Sequence, residues 1–281
     1  MKILPLAADS LGVRSMATWV ETEDIKIIID PGISLGPVRY GLPPHPKEIK
    51  TMQYLKKKII EFLKKSEVVI ITHYHLDHYM PEYPHLLRGK DIYIKNPFEK
   101  MSENQKRRGK EFINILKNHR IKYQIVDGVC IRYPFTSIEF SSPVFHGDPK
   151  QGTVIAVFIT HRKTNFLYSS DVTGPTDTKI LEFIRNKKPQ ILYLDGPNLP
   201  FLSPRETQES LKNLNELGIY AKRIIIDHHP LRDIKYREKL KEFFKLTQAQ
   251  TVAEFLNTKE NLLEAQREKL FSVDKTNPSL K

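Results

Sequence analysis

Residues 68–78 read VVIITHYHLDH, a run of apolar residues followed by three histidines and an aspartate. The apolar run has the length and composition of a buried β-strand, so the polar residues stand where such a strand ends. Imidazole nitrogens and a carboxylate are ligands that zinc prefers, and they also suit manganese or iron. In a short turn, His73 and His75 can bind one ion while Asp77 and His78 bind a second. The stretch therefore predicts a metal site.

Further candidate ligands follow other strand-like runs. His146 comes after SIEFSSPVF, Asp171 ends NFLYSSD, and His228 follows RIIID. Layered α/β proteins place their sites at strand ends on one side of a sheet, so we expect these groups to meet residues 73–78. If residue 171 bridges two metal ions, a carboxylate is expected there and not a neutral side chain, and Asp171 meets this expectation. Asp195 ends ILYLD, where it either assists proton transfer or caps the following loop.

The composition excludes several classes of protein. The chain has 281 residues, of which 40% are hydrophobic, and this is enough for a substantial core. Its one cysteine, Cys130, excludes an internal disulfide and any cysteine-based metal site. The longest apolar runs are strand-sized, and residues 1–10 lack the pattern of a signal peptide. We therefore expect a cytoplasmic protein that does not interact with membranes.

The net charge of +12 at pH 7 indicates an acidic or phosphorylated partner, or serves solubility alone. Basic residues concentrate in two helix-like segments, in the runs Lys56–Lys58 with Lys64–Lys65 and Lys106–Arg108 with Lys110. Such runs usually form a solvated outer face, but beside a site they would draw in a polyanion. Nucleic acid is therefore an alternative partner to a small molecule.

Strand-like and helix-like segments alternate over much of the chain. Helices are predicted for residues 47–65, 102–119, 176–187, 204–217 and 235–246, the fourth with Ser203 as N-cap and closed by Gly218. The pattern predicts an α/β fold, two sheets covered by helices, in one domain over residues 1–281. Residues 33–46, ISLGPVRYGLPPHP, contain four prolines and predict a long loop of a kind that is often functional.

The order of these motifs resembles the metallo-β-lactamase fold superfamily. The shared pattern is His-x-His-x-Asp-His, then a distant histidine, an aspartate after a strand and a final strand-end histidine. Residues 27–32, IIIDPG, are similar to the strand and turn that precede the metal motif in that family. Residues 6–19 resemble the first-strand loop of its phosphodiesterase-like branch, which includes tRNA 3′-processing ribonucleases.

The resemblance implies a four-layer αββα sandwich that holds two divalent metal ions, zinc in the first place and manganese or iron as alternatives. It implies a hydrolase in which metal-activated water attacks a carbonyl carbon or a phosphorus atom, with a phosphodiester favoured over a thioester or lactone. Carried over position by position, the residues fall into four roles: His73, His75 and His146 on the first ion, Asp77, His78 and His228 on the second, Asp171 as the bridge, and Asp30 as the residue that orients an imidazole.

Asp77, Asp171 and Asp195 are the carboxylates that we expect to act in catalysis. As the last ligand, His228 is favoured over His229 because of the strand that precedes it. His229 would then support a ligand or face the substrate.

For substrate binding the candidates are Ser10, Arg14 and Ser15, which would clamp a phosphate. The alternative is that Arg14 is an ordinary surface residue.

The chain also departs from the family pattern. Residues 79–82 read YMPE, where a pair of glycines is common, and the 56 residues between Asp171 and His228 leave no room for a large inserted nuclease domain.

Two other hypotheses stand beside the hydrolase: a nuclease that uses the positive charge, and a non-hydrolytic metal-binding or redox protein. Oxidoreductase members with two irons tend to have glutamate at the position of His75, which argues against the redox option. A phosphoesterase of the Asp-His-His type would leave residues 73–78 unexplained.

Overall fold

A computed structural model describes residues 1–276 and has two six-stranded β-sheets at its centre. The first sheet contains, in both chain order and spatial order, β1 (Lys2–Pro5), β2 (Thr18–Glu21), β3 (Lys26–Ile29), β4 (Val68–Ile71), β5 (Asp91–Ile94) and β6 (Gln124–Ile125). Strands β1 to β3 pair antiparallel, whereas β3 to β6 pair in parallel. The carboxyl ends of β3 and β4 therefore lie side by side at one edge.

The second half of the chain supplies the second sheet. Its strands are β7 (Cys130–Arg132), β8 (Thr136–Phe140), β9 (Val144–Phe145), β10 (Thr153–Val154), β11 (Val157–His161), β12 (Thr164–Tyr168), β13 (Ile191–Leu194) and β14 (Arg223–Ile226). Six of them form the sheet in the order β14-β13-β12-β11-β8-β7, and β9 pairs with β10. Strands β12, β13 and β14 are parallel, so their carboxyl ends also meet.

Helices cover the outer faces of both sheets. The α-helices are α1 (Pro46–Lys65), α2 (Glu103–Asn118), α3 (Thr178–Lys187), α4 (Pro204–Leu217), α5 (Tyr236–Lys239), α6 (Lys241–Thr247), α7 (Val252–Phe255) and α8 (Arg267–Thr276). Helices α1 and α2 pack against the first sheet, and α3, α4 and α6 pack against the second. Short 3₁₀ helices span Asp9–Leu11, Pro84–Leu87, Pro149–Gln151, Leu199–Phe201 and His229–Arg232. Within residues 1–276, no helix combines the length and the apolar character that crossing a membrane requires.

Successive side chains of a strand point to opposite faces, and this alternation separates the layers. In β3, Ile27 and Ile29 pack between the two sheets, while Ile28 packs against the helices. In β14, Ile225 lies between the sheets and its neighbours Ile224 and Ile226 face α3, α4 and α6. Because both faces of these strands are buried, their sequences are uniformly apolar. The predicted four-layer αββα sandwich is confirmed.

Most predicted helices agree with the structure to within two residues. In α4, Ser203 Oγ accepts a hydrogen bond from the backbone of Glu206, whose side chain returns to the backbone of Ser203. The predicted helix 235–246 is wrong in one respect, since it is interrupted at Leu240 between α5 and α6. The run TVIAVFIT is divided between β10 and β11, because the chain passes there from the small sheet to the large one. A single domain over residues 1–281 stays a prediction, and residues 277–281 lie outside the described part.

Residues 257–276, here called the C-terminal strap, hold the loop 33–46 in place. Arg267 is fully buried and donates to both carboxylate oxygens of Glu48, at 2.8 and 2.9 Å. The same guanidinium donates to the carbonyls of Gly36 and Leu42 in the loop. Glu264 adds a two-point ion pair with Arg14, at 2.5 and 2.7 Å.

We predict that Arg267→Met lowers the free energy of unfolding by about 3–5 kcal/mol, because it removes the guanidinium that balances the charge of the buried Glu48 carboxylate. Urea denaturation followed by circular dichroism measures the change. Lys65→Met is the matched control, since Lys65 pairs with Glu61 on the exposed face of α1. Exposed pairs contribute up to about 1 kcal/mol, so equal losses in the two variants would contradict the role given to Arg267.

Candidate metal centre and cleft

The predicted ligands all lie just beyond the carboxyl ends of strands. Residues 73–78 follow β4, His146 follows β9, Asp171 follows β12 and His228 follows β14. Gly32, beyond β3, lets two chain segments approach closely, because a Cβ there would lie 2.2 Å from the backbone nitrogen of Tyr79. The two sheets thus bring ligands from distant parts of the sequence to one place.

One group of side chains consists of three imidazoles and a carboxylate. His75 Nδ1 lies 3.2 Å from His73 Nε2 and 3.3 Å from His146 Nε2. Asp171 Oδ2 lies 3.7 Å from His73 Nε2 and 3.5 Å from His146 Nε2. The four ligand atoms all lie within 4.8 Å of one another, so these four residues could hold one metal ion.

A second group shares Asp171 with the first. His78 Nε2 lies 3.2 Å from Asp171 Oδ1. His228 Nε2 lies 3.4 Å from Asp171 Oδ2 and 3.5 Å from Asp77 Oδ2. Asp171 is thus placed as a carboxylate between two sets of imidazoles.

The chemistry of these two groups fits divalent cations. His78 Nε2 and Asp171 Oδ1 are buried and lie 3.2 Å apart without the alignment of a hydrogen bond, and neither has another hydrogen-bond partner within residues 1–276. Buried polar atoms without partners are rare and costly, and a metal ion would satisfy both. The donor set of imidazole and carboxylate groups suits zinc, manganese or iron alike.

The electrostatics differ between the two groups of ligands, and the first group has the forms that metals bind. Burial and the neighbouring His78 hold the pKa of His73 well below its ordinary value, and burial with His146 lowers the pKa of His75 to about 4. Burial alone would raise the pKa of Asp171, but His78 and His228 hold it well below the ordinary value. Two neutral imidazoles and an ionised carboxylate are therefore already in the state that a cation requires. In the second group, burial alone would lower the pKa of His78 and His228, but Asp171 raises the pKa of His78 well above its ordinary value and that of His228 to about 9.

A carboxylate behind each of three rings fixes how the ring is turned. Asp30 Oδ2 lies 2.9 Å from His78 Nδ1, Asp9 Oδ2 lies 2.7 Å from His228 Nδ1, and Asp195 Oδ2 lies 2.9 Å from His229 Nδ1. Hydroxyl groups do the same for two other rings: Ser170 for His73 at 3.3 Å and Thr173 for His146 at 3.2 Å. Partners of this kind orient metal-binding imidazoles.

The structure places Asp30 where an orienting residue is expected. Its carboxylate also accepts from the backbone and hydroxyl of Thr72, at 2.8 and 2.5 Å, and from the hydroxyl of Tyr168 at 2.8 Å. The role of Asp9 was not predicted from the sequence, although Asp9 is adjacent to Ser10, a candidate for substrate binding. The only signal for Asp9 was a carboxylate in a short segment after an apolar strand.

His228 and His229 occupy different positions. His228 Nε2 faces Asp77 and Asp171, as the favoured assignment expects. His229 lines the cleft, and its Nε2 lies 3.8 Å from Asp171 Oδ2. Asp195 lies behind His229, so any part of Asp195 in proton transfer would act through that ring.

A cleft of about 960 Å³ opens over the cluster. Its walls come from the ligand turn, the loop 33–46, helix α2 and the segment around Leu199–Phe201. Its charged lining residues outside the metal cluster are Arg14, Arg39, Arg108, Arg232, Asp148 and Glu206. The loop 33–46 therefore lies beside the cluster. This position agrees with the expectation that a long loop of this kind has a function.

Only part of the basic surface faces this cleft. Arg108 of α2 lines it, whereas Lys56 pairs with Glu82 and Lys65 pairs with Glu61 on α1. Gly109 lets α2 approach the ligand turn, since a Cβ there would lie 2.8 Å from the Tyr74 ring. The lysines of α1 therefore form an outer face.

The three residues predicted to bind substrate lie in different environments. Ser10 and Ser15 are fully buried and do not line the cleft. Ser10 Oγ accepts from the backbone of Ala253, and Ser15 Oγ donates to the carbonyl of Gly32. Both hydroxyls are used inside the fold, so of the three only Arg14 stays a candidate for substrate contact.

Comparisons with known proteins agree with this geometry. A model of the metallo-β-lactamase superfamily matches residues 12–80. A UPF0282 protein of Korarchaeum cryptofilum is 38% identical over 284 residues, which cover 97% of this chain and 95% of the relative. The resemblance drawn from the sequence is confirmed.

Two solved structures share the fold. An isothiocyanate hydrolase from Delia radicum gut bacteria has 16% identity and a TM-score of 0.56, over 85% of this chain and 94% of that one. A mutant of the CmlA β-hydroxylase of Streptomyces venezuelae has 12% identity and a TM-score of 0.52, over 85% and 51% of the two chains. Because one is a hydrolase and the other a hydroxylase, the fold alone does not select the reaction.

We predict that Asp30→Asn weakens binding of one divalent ion by about 10- to 100-fold, because His78 loses the carboxylate that orients it. The other ion, held by the group around His75, should bind as before. Calorimetric titration of the metal-free protein with zinc measures both affinities. Asp127→Asn is the control, since Asp127 binds Lys95 and the backbone of Asn96. Unchanged zinc binding in Asp30→Asn would contradict the orienting role.

Proposed function

Because the chain belongs to the UPF0282 family, within the metallo-β-lactamase superfamily, we propose that it is a metal-dependent hydrolase of phosphodiesters. The observation that carries the choice of substrate is the guanidinium of Arg232, which is fixed beside the metal cluster and lines the cleft. We include a cytoplasmic location in the proposal, as the single cysteine favours it.

The proposed ligands of the first ion are His73, His75 and His146, and those of the second are Asp77, His78 and His228. Asp171 belongs to both sets. Two divalent ions would lower the pKa of water, polarise the scissile bond and stabilise the leaving oxygen. The residues of the chain bind and orient the substrate around that centre.

Arg232 is held from both sides. Its Nε donates to Asp9 Oδ1 at 3.0 Å, and its Nη2 lies 2.9 Å from His228 Nε2 and 3.4 Å from His228 Nδ1. Nη2 is therefore within hydrogen-bonding distance of Nε2, the atom of His228 that faces Asp77 and Asp171, and this places the guanidinium directly beside the cluster. A guanidinium fixed in this way supports the negative oxygens of a phosphodiester and gains little from a neutral lactone or thioester.

Arg39 couples the loop 33–46 to this position. Its Nη2 donates to the backbone carbonyl of Arg232 at 2.7 Å. Arg14 and Arg108 add positive charge to the walls of the same cleft, although Arg14 is paired with Glu264. Outside the cluster the lining has four arginines against two carboxylates, Asp148 and Glu206, and this positive excess favours anionic ligands.

Two other hypotheses stay predictions. A nuclease would extend substrate contacts from Arg108 along Lys106 and Lys110 of α2, and its affinity for RNA would fall steeply with salt. A redox protein would contain iron and absorb visible light when purified. Metal analysis and RNA binding at two salt concentrations separate both from the small-phosphodiester hydrolase.

We predict that the metal-loaded protein hydrolyses bis(p-nitrophenyl) phosphate and that Asp171→Asn lowers kcat/KM by at least about 100-fold, because both ions lose a shared ligand. Release of p-nitrophenol measures the rate. Asp91→Asn, an exposed carboxylate at the start of β5, should retain the wild-type rate. Hydrolysis of a lactone or thioester, with phosphodiesters left intact by the metal-loaded wild type, would refute the proposed substrate class.

We also predict that Arg232→Met lowers kcat/KM for the same phosphodiester by about 10- to 100-fold, the worth of a lost hydrogen bond to a charged group. Metal content, measured by mass spectrometry, should stay at the wild-type value. Arg185→Met, which removes an exposed arginine paired with Glu216 on α4, serves as control. An unchanged kcat/KM in Arg232→Met would remove Arg232 from substrate binding.

A further inference from the structure

Large apolar side chains stand exposed at the walls of the cleft. Phe201 is 76% exposed, Val38 is 65% exposed and Leu76 is 45% exposed, and all three line the same cavity. They belong to three separate segments: the 3₁₀ helix Leu199–Phe201, the loop 33–46 and the ligand turn 73–78. Exposed apolar groups that converge from separate segments on one cleft are typical of ligand-binding surfaces.

The position of Leu76 connects this apolar surface to the reaction centre. Leu76 stands in the chain between His75 and Asp77, one from each metal-binding group. Leu76 therefore places an apolar side chain directly beside the candidate ligands. Phe201 and Val38 offer neither charge nor a side-chain hydrogen bond, so they favour the apolar part of a substrate.

We infer that the cleft takes an amphipathic substrate, a phosphate ester that carries a large alkyl or aromatic group. The phosphoryl group binds beside Arg232, and the apolar group packs against Leu76, Val38 and Phe201. The inference rests on the proposed function for the position of the phosphoryl group. It goes further in naming the alcohol part of the ester, which the arginines do not specify.

Binding of a homologous series tests the inference without relying on turnover. The metal-loaded protein is titrated in a calorimeter with methyl-, propyl- and hexylphosphonate, which share one charged head. A methylene group removed from water contributes about 0.8 kcal/mol, or about fourfold in affinity, when burial is complete. In a cleft that stays open to solvent, we expect Kd to fall about twofold with each added methylene.

Matched variants assign the effect to the named residues. The double variant Val38→Ser and Phe201→Ser should bind hexylphosphonate at least about fivefold more weakly and flatten the dependence on chain length. Ile219→Ser is the control, because Ile219 is 77% exposed and does not line the cleft. It should leave the whole series unchanged.

Equal affinity for methyl- and hexylphosphonate, or failure of all three to bind, would overturn the inference. Binding that strengthens with chain length but is equal in the double variant and the wild type would overturn it as well. A chain-length dependence lost in the double variant, in a protein that hydrolyses no phosphodiester, would support the inference and refute the proposed function alone.

Discussion

The buried carboxylate of Asp171 is the constraint on which the rest of the site depends. It lies within 3.2–3.8 Å of a ring nitrogen of His73, His78, His146, His228 and His229. A buried negative charge is costly unless positive groups or metal ions surround it. The strands must therefore end where five imidazoles can reach one carboxylate, and this requirement fixes how the two sheets are aligned.

Part of the strain in the backbone lies around the same point, where four of the eleven non-glycine residues with positive φ within residues 1–276 are found. Asp30, Ser170, Thr173 and His228 all have positive φ values, at 46°, 60°, 52° and 91°. Residues other than glycine pay about 1–3 kcal/mol for such conformations, so the surrounding contacts must hold them there. The hydrogen bonds of Asp30 and the ion pair of Asp9 supply part of that support. The backbone at these strand ends is thus held in unfavourable conformations that turn the side chains inward.

Much of this arrangement could be predicted from the sequence because it is local. The motif at residues 73–78 follows a strand directly, and strand ends on one side of a sheet are where sites form. Asp9 and Arg232 escaped prediction because their contacts join segments about 220 residues apart. The division of the run SIEFSSPVF between β8 and β9 was not predicted, since the two residues of β9 carry no periodic pattern of their own.

Ser10 and Ser15 show the limit of arguing from residue type. A serine can clamp a phosphate or satisfy the backbone, and the choice depends on whether the side chain is exposed. Both are buried, because Ser10 packs against the segment at Ala253 and Ser15 packs against Gly32. No pattern near either serine indicates that packing.

The C-terminal strap also sets the order in which the site is completed during synthesis. Arg267 contacts Gly36, Leu42 and Glu48, so the loop beside the cluster lacks its anchor until residues some 220 positions later have left the ribosome. Every proposed metal ligand is made earlier, the last at His228. A growing chain therefore contains every proposed metal ligand before it contains the residue that anchors the loop 33–46, and the ligand set and the shape of the cleft wall depend on separate parts of the sequence.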